Sequence, residues 1–356
     1  MVLHLLIPGL HWPSGVERDP LPRPALPSLD TLLGKGRTYA MPAQGMEEWL
    51  CRQFKVLRQS DWPVAPLTLL AEGVAPEQHF WIRADPVHLV VDRDRLVLTD
   101  ADTFRISAAE ATALTRTLND ALSADGLTLL APDAERWYLR LTQAPRIVTH
   151  PLAEARGASV DAFLPGGEES RWWQALTNEV QMLLHEHPVN EQREARGAAS
   201  INSVWFWGAG RLPEYCSNPY ATVWTDCVLA RGLVQASGAE PEPLPADGTA
   251  WLRSASPGTV SLLVLDHLRA AAHYHDAPNW GAQIQTLEQQ WFAPLLAALR
   301  TKQLERAYLH SVDGADCCTT SVSGGDLWKF WRSARRRKPQ AQPPQVSRAD
   351  DAGQSA

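Results

Sequence analysis

Two groups of residues carry the chemistry this sequence can offer. The first centres on Asn190 and Arg193, three positions apart. On a helix that spacing puts both on one face, where an amide and a guanidinium can grip a phosphate or carboxylate together. Asn202, Gly208, Gly210 and Arg211 extend the group, because an apolar strand running into Gly208-Ala-Gly210 brings backbone close to whatever sits above the sheet. The second group is Asp266, His273, His275 and Asp313. Oxygen and imidazole ligands of these types hold zinc or manganese when they converge. The spacing from Asp266 to His273 matches no compact ligand motif. The competing reading is a strand-end aspartate tying a loop, with histidines at the surface.

Strands and helices must position these residues. The apolar runs 2–7, 260–265 and 307–312 end at Pro8-Gly9, Asp266 and Asp313-Gly314. Helical periodicity separates them, over 46–57, 168–184 and 284–299, with Trp172, Leu176, Val180 and Leu183 on one stripe of the second. Apolar strands alternating with helices predict an α/β fold with a mainly parallel sheet, in which ligands gather outside the carboxyl ends of the strands. Asp266 and Asp313 are then expected on one rim. Residues 80–141 break the pattern. They predict a hairpin (87–91 with 95–98), a helix opened by the capping box Ser107-Ala-Ala-Glu110, and a further strand pair. The expected organisation is a discontinuous core, 1–77 and 166–333, an inserted α+β lobe, 78–165, and a disordered tail, 334–356, rich in Pro, Gln, Ser and Asp.

Composition narrows the function. A net charge of −7 argues against a nucleic-acid surface, which needs clustered Lys and Arg. The basic run from Arg332 to Lys338 reads as the solvated end of a last helix. Fifteen tryptophans are spread from Trp12 to Trp331, so they read as core and contact residues rather than one binding stripe. The five cysteines contain no Cys-x-x-Cys pair, and the apolar start has no basic lead or cleavage site, which together predict a cytoplasmic protein. No apolar run reaches the roughly 18 residues of a membrane span. The sequence has no Gly-x-x-x-x-Gly-Lys-Ser/Thr loop, no third glycine after Gly210, and no Gly-x-Ser-x-Gly elbow, which sets aside P-loop, dinucleotide and α/β-hydrolase chemistry.

The stretch Asn190-x-x-Arg193-x-x-x-Gly197, then Asn202 and the strand into Gly208-x-Gly210, resembles archaeal-type cofactor-independent phosphoglycerate mutases, members of the alkaline phosphatase superfamily. Pro27-Ser-Leu29-Asp30-Thr-Leu-Leu-Gly-Lys-Gly36 is similar to a helix near that superfamily's N-terminus. Asp266, His273 or His275, then Gln283 to Glu288, then the strand to Asp313, is similar in order to its C-terminal metal region. From residue 1 to about 331 the chain also resembles bacterial RpfE-type regulatory proteins. The resemblance implies an alkaline-phosphatase-like fold. It also exposes departures. The superfamily ends its first strand with a metal-binding Asp, and here Pro8-Gly9 stands there. It uses a Ser or Thr nucleophile, and no matching motif is present. It ends a late strand with Asp-His, and here the pair is Asp313-Gly314. Two-metal phosphoryl transfer needs both ions. The expectation is a regulatory or ligand-binding protein with a degenerate phosphomutase-like site, taking a small phosphorylated or carboxylate ligand, with no cofactor and no particular protein partner indicated. The alternative is a divergent metal-dependent phosphoglycerate mutase or phosphohydrolase that holds zinc or manganese at Asp266, His273, His275 and Asp313.

Overall fold

The computed structural model describes residues 1–12, 24–92, 95–312, 317–329 and 331. Strands are numbered in chain order. The main sheet has six strands: β1 (Val2–Leu6), β2 (Arg37–Ala40), β10 (Thr222–Trp224), β11 (Val260–Val264), β12 (Arg306–Ser311) and β13 (Cys318–Ser323). Their order is β10-β11-β1-β12-β13-β2. The first four are mutually parallel, and β13 runs antiparallel between β12 and β2. Their sequences explain the centre. Leu3 and Leu5 enter one core with Trp251, Trp280 and Trp291, while Leu6, Leu262 and Val264 enter a second with Trp49 and Phe54. A strand buried on both faces reads as a continuous apolar run, which is how β1 and β11 look. Because β11 and β12 flank β1 in parallel, their carboxyl ends share one rim. Asp313 itself, like the tail 334–356, lies outside the described residues.

A second, antiparallel sheet contains β3 (Phe80–Asp92), β4 (Arg95–Thr99), β5 (Thr128–Asp133), β6 (Arg136–Leu141) and β9 (Ser203–Gly210). The long β3 pairs with β6 and β9 near its start and with β4 near its end. A short pair, β7 (Ile147–Val148) and β8 (Gly166–Gly167), stands apart. None of β3 to β6 pairs with β1 or β11. β9 departs from expectation. It was predicted in the main sheet and pairs instead with β3, Trp205 opposite Asp85 and Trp207 opposite Arg83. All of its residues are buried, so its sequence says that both faces are covered without saying by which sheet.

Two helices also differ from prediction for clear physical reasons. In Ser170–His185 the buried stripe is Trp173, Leu176, Val180 and Leu184, and Trp172 is 47% exposed. The centre of the apolar arc, Leu176 and Val180, is the same, and each end is shifted by one residue. The predicted helix over 284–299 is interrupted. Ala277–Leu287 passes through a wider turn, Glu288–Phe292, into Ala293–Arg300. The turn presents Glu288 to the start of the helix Pro27–Lys35, where its carboxylate accepts from the amides of Ser28 (2.7 Å) and Leu29 (3.0 Å). Those amides have no partner within their own helix, and an anion suits them.

Candidate functional site

The carboxyl ends of β11, β1 and β12 open into a cleft walled on its other side by the second sheet and the segment 148–163. Two adjoining cavities occupy it, about 500 Å³ and about 610 Å³. Both are lined by Glu47, Ala153, Arg156 and Arg269, so these residues form the partition between them.

Glu47 and Arg269 are the centre of that partition. Glu47 is the second residue of the helix Met46–Gln53, and Arg269 opens the short helix Arg269–His273 just beyond β11. Arg269 Nη2 donates to Glu47 Oε1 at 2.6 Å, with both side chains largely buried. Burial works to raise the Glu47 carboxyl, and Arg269 more than offsets it, so the group is held below its ordinary value.

Three further arginines of the cleft are also matched with carboxylates. On β3, Arg83 and Asp85 stand two apart and face the same side. Arg83 Nε and Nη2 donate to Asp85 Oδ1 at 2.9 and 2.6 Å, and Trp207 Nε1 donates to Asp85 Oδ2 at 2.7 Å. The guanidinium also lies over the Tyr138 and Trp207 rings, at 5.0 and 5.4 Å. Arg136 Nε donates to Glu72 Oε1 at 2.5 Å. Arg156 joins Asp100 and Asp102 at 2.7 Å each, and the Tyr274 hydroxyl donates to Asp100 at 2.7 Å. Tyr274 follows β11 and Asp100 follows β4, so this contact clasps the two sides of the cleft.

The predicted metal group is divided. Asp266 lines the smaller cavity, near Arg269 and Asp226, and burial raises its carboxyl, with Arg269 opposing. His273 and His275 line the larger one. His273 Nδ1 lies 2.5 Å from the Ala153 carbonyl, and His275 sits at the surface beside the Trp12 ring. Among the described residues no three His, Cys, Asp or Glu side chains form a group that could hold a metal ion. β1 delivers Pro8 and Gly9 to the rim, and Gly9 has φ +74° with its α-carbon against the Leu268 carbonyl, where a Cβ would come within 2.9 Å. The described residues therefore do not fit a two-metal centre.

The predicted anion grip lies elsewhere and is used internally. Asn190 and Arg193 do share the helix Pro188–Ala195, and both are buried. Asn190 Nδ2 donates to the Leu184 and Ile201 carbonyls (2.7 and 2.8 Å), and its Oδ1 accepts from the Ile201 amide (2.7 Å). Arg193 donates to the carbonyls of Ala199 (2.7 Å) and Arg105 (3.0 Å) and to Glu110 (3.0 Å). Glu110 is the capping-box residue of the helix Ala108–Leu122 and also meets Arg196. Asn202 exchanges two hydrogen bonds with the Leu89 backbone. None of these residues lines either cavity. The glycines serve close packing. A Cβ on Gly208 would lie 2.9 Å from Val64, and one on Gly210 would lie 2.7 Å from Pro63. The exposed Arg211 exchanges backbone hydrogen bonds with the Gln59 side chain and stacks its guanidinium on Phe80, 4.0 Å from the ring centre.

Sequence reasoning missed Glu47, Arg269, Arg83 and Asp85. For the last two a signal exists: opposite charges at i and i+2 inside an apolar strand must be buried on one face together. For Glu47 and Arg269, 222 positions apart, none does.

No family model matches the chain. It is similar to the 2,3-bisphosphoglycerate-independent phosphoglycerate mutase of Methanosarcina mazei, 27% identical over 156 residues, 42% of this chain and 38% of that protein. The enzyme of the same name from Methanosarcina barkeri is 29% identical over 120 residues, 33% of this chain and 30% of that one. A probable one from Geobacter sulfurreducens is 28% identical over 137 residues, 38% of this chain and 34% of that one. The chain thus spans well under half the length of the curated relatives it matches. In structure it resembles the PH0037 protein of Pyrococcus horikoshii, with a TM-score of 0.50 at 14% identity over 91% of this chain and 87% of that one, a likeness of fold alone. Among the described residues no helix is long and apolar enough to cross a membrane. Over part of its length the chain is a distant homologue of 2,3-bisphosphoglycerate-independent phosphoglycerate mutases, and its fold is mixed α/β with a mainly parallel central sheet.

Proposed function

We propose that this protein is a ligand-binding, regulatory relative of the phosphoglycerate mutases whose cleft does not transfer phosphoryl groups. The observation that carries this reading is the Glu47–Arg269 pair, 2.6 Å apart, in the partition at the strand ends. A guanidinium is charged at every accessible pH. Held in a largely buried position, it opposes a divalent cation in the same space, because charges there are weakly screened. Two-metal catalysis requires ions that activate the attacking oxygen and stabilise the leaving one. The described part of this cleft supplies a paired arginine, a first strand ending in Pro8-Gly9, and an Asp266 separated from His273 and His275 into different cavities. The resemblance to RpfE-type proteins supports the regulatory half of the reading. The names of the relatives support the alternative, a divergent metal-dependent mutase or phosphohydrolase.

The test is turnover of 3-phosphoglycerate and of a generic phosphate monoester, with manganese, zinc or magnesium supplied. The expected result is no conversion above the protein-free control. Metal-dependent conversion that disappears in Asp266→Ala would establish the enzyme instead.

A further inference from the structure

We propose that Ser311 and His11 form a nucleophile–base pair that cleaves small uncharged carboxylic esters in the larger cavity. Acyl transfer is distinct from the phosphoryl transfer considered above and needs neither its metals nor its anionic ligand.

The two side chains are in contact. His11 Nδ1 lies 2.8 Å from Ser311 Oγ. A hydroxyl within hydrogen-bond reach of an imidazole is the arrangement that activates a weak nucleophile. Two neighbouring parallel strands build it. Ser311 is the last residue of β12, and His11 lies just past the end of β1. Between β1 and His11 the Leu10 amide donates to the Ile7 carbonyl at 3.3 Å and Gly9 takes φ +74°, so the chain turns there instead of continuing the strand. The pair is 300 positions apart in the chain, which is why no local motif announces it.

The surroundings fit the same chemistry. Ser311 and His11 both line the cavity of about 610 Å³, at the sheet edge where α/β folds gather their ligands. Ser311 is buried and His11 partly so, which places the pair in the cavity wall rather than on the open surface. Trp12, Pro151 and Phe163 give this cavity an apolar side that suits an acyl group. Its two arginines are already held, Arg156 by Asp100 and Asp102 and Arg269 by Glu47, which favours an uncharged substrate over an anionic one. The helix Met46–Gln53 starts on the same wall, with a glycine as its N-cap. The Glu47 carboxylate takes the Glu47 amide, while the amides of Met46 and Glu48 have no partner within the helix. Donors of that kind suit the oxyanion formed in acyl transfer. In the reaction, Ser311 Oγ bonds to the ester carbonyl carbon and its proton passes to His11 Nδ1. The bond from that carbon to the alkoxy oxygen breaks, and the leaving alcohol takes the proton from Nδ1. Water then attacks the Ser311 ester by the same route, releasing the carboxylic acid and restoring the hydroxyl.

The full chain is treated with a fluorophosphonate probe, the labelled residue is located by peptide mass spectrometry, and hydrolysis of p-nitrophenyl acetate is followed without added metal. The expected result is a label on Ser311, and labelling and ester hydrolysis that both fall about tenfold or more in His11→Gln. Hydrolysis is expected to fall at least as far in Ser311→Ala, with both variants melting close to the wild type. A wild type that stays unlabelled, or is labelled only elsewhere, overturns the proposal, and that arm depends on no variant folding. Hydrolysis that Ser311→Ala leaves unchanged overturns it too, because the hydrogen bond then only ties two strand ends together. So does labelling of Ser311 at the same rate in His11→Gln, which removes the base.

Discussion

His4 and His310 meet inside the main sheet, with Nδ1 of His4 3.0 Å from Nε2 of His310 across the β1–β12 ladder. One ring must donate and the other accept, so the two cannot both be protonated on these nitrogens, and burial disfavours the charged form of each. His310 Nδ1 lies 2.9 Å from the Thr319 hydroxyl on β13, and the His4 ring stacks on Tyr308 with centroids 4.5 Å apart. A hydrogen-bonded link thus ties the three adjacent strands β1, β12 and β13.

That link predicts a loss of stability in mild acid. Burial lowers His4 from 6.5 to about 4, and burial together with His4 lowers His310 well below 6.5. The unfolded chain takes up these protons first. The stabilisation is therefore present above pH 6.5 and is lost as pH falls from 6.5 toward 4, by roughly 2 kcal/mol at pH 4.5 for His4 alone. Urea midpoints between pH 7.5 and 4.5 check it. A wild-type slope no steeper than that of His4→Gln would contradict it.

The chain's alternation of apolar runs makes the parallel strands β1, β11 and β12 legible, together with the shared rim of β11 and β12 and the capping box at Ser107. Each depends on neighbours in sequence. The sheet to which β9 belongs was not legible, because a run buried on both faces carries no record of its partner. Asn190 and Arg193 were correctly paired on a helix face, but the spacing does not say whether that face meets a ligand or a carbonyl. The Glu47–Arg269 contact joins two short helices distant in the chain, each unremarkable alone.

Asn190 is expected to behave as a structural residue. Asn190→Ala leaves the Leu184 and Ile201 carbonyls and the Ile201 amide without the partners they have now. The loss should be roughly 2–4 kcal/mol in chemical denaturation. A variant of wild-type stability with altered ligand affinity would restore Asn190 to the binding site.

Gly232 sits where the helices Val64–Ala71 and Val228–Ala236 touch, and a Cβ there would fall 1.9 Å from the Leu67 carbonyl oxygen. Gly232→Ala should force the helices apart and destabilise by about 3 kcal/mol or more. Gly238→Ala is the control. Its φ of +79° carries strain, but no atom lies within 4 Å of the new methyl, so the loss should stay near 1–2 kcal/mol. Equal effects in thermal melts would mean that the helix contact is looser than described.

Removing Arg269 alone strands the buried Glu47 carboxylate. Arg269→Met should destabilise by about 3–5 kcal/mol, whereas replacing both partners, Glu47→Met with Arg269→Met, should recover most of that loss. A double variant as unstable as the single one would show that packing, not charge, holds the partition.

Calorimetric titration of the full wild-type chain with manganese, repeated with zinc, asks directly whether the guanidinium of Arg269 holds the cation position at the strand ends. The expected trace shows no saturable binding, and Arg269→Gln, which leaves Glu47 without its cation, gains affinity for the ion. One-to-one manganese binding by the wild type, lost in Asp266→Ala, would contradict the account.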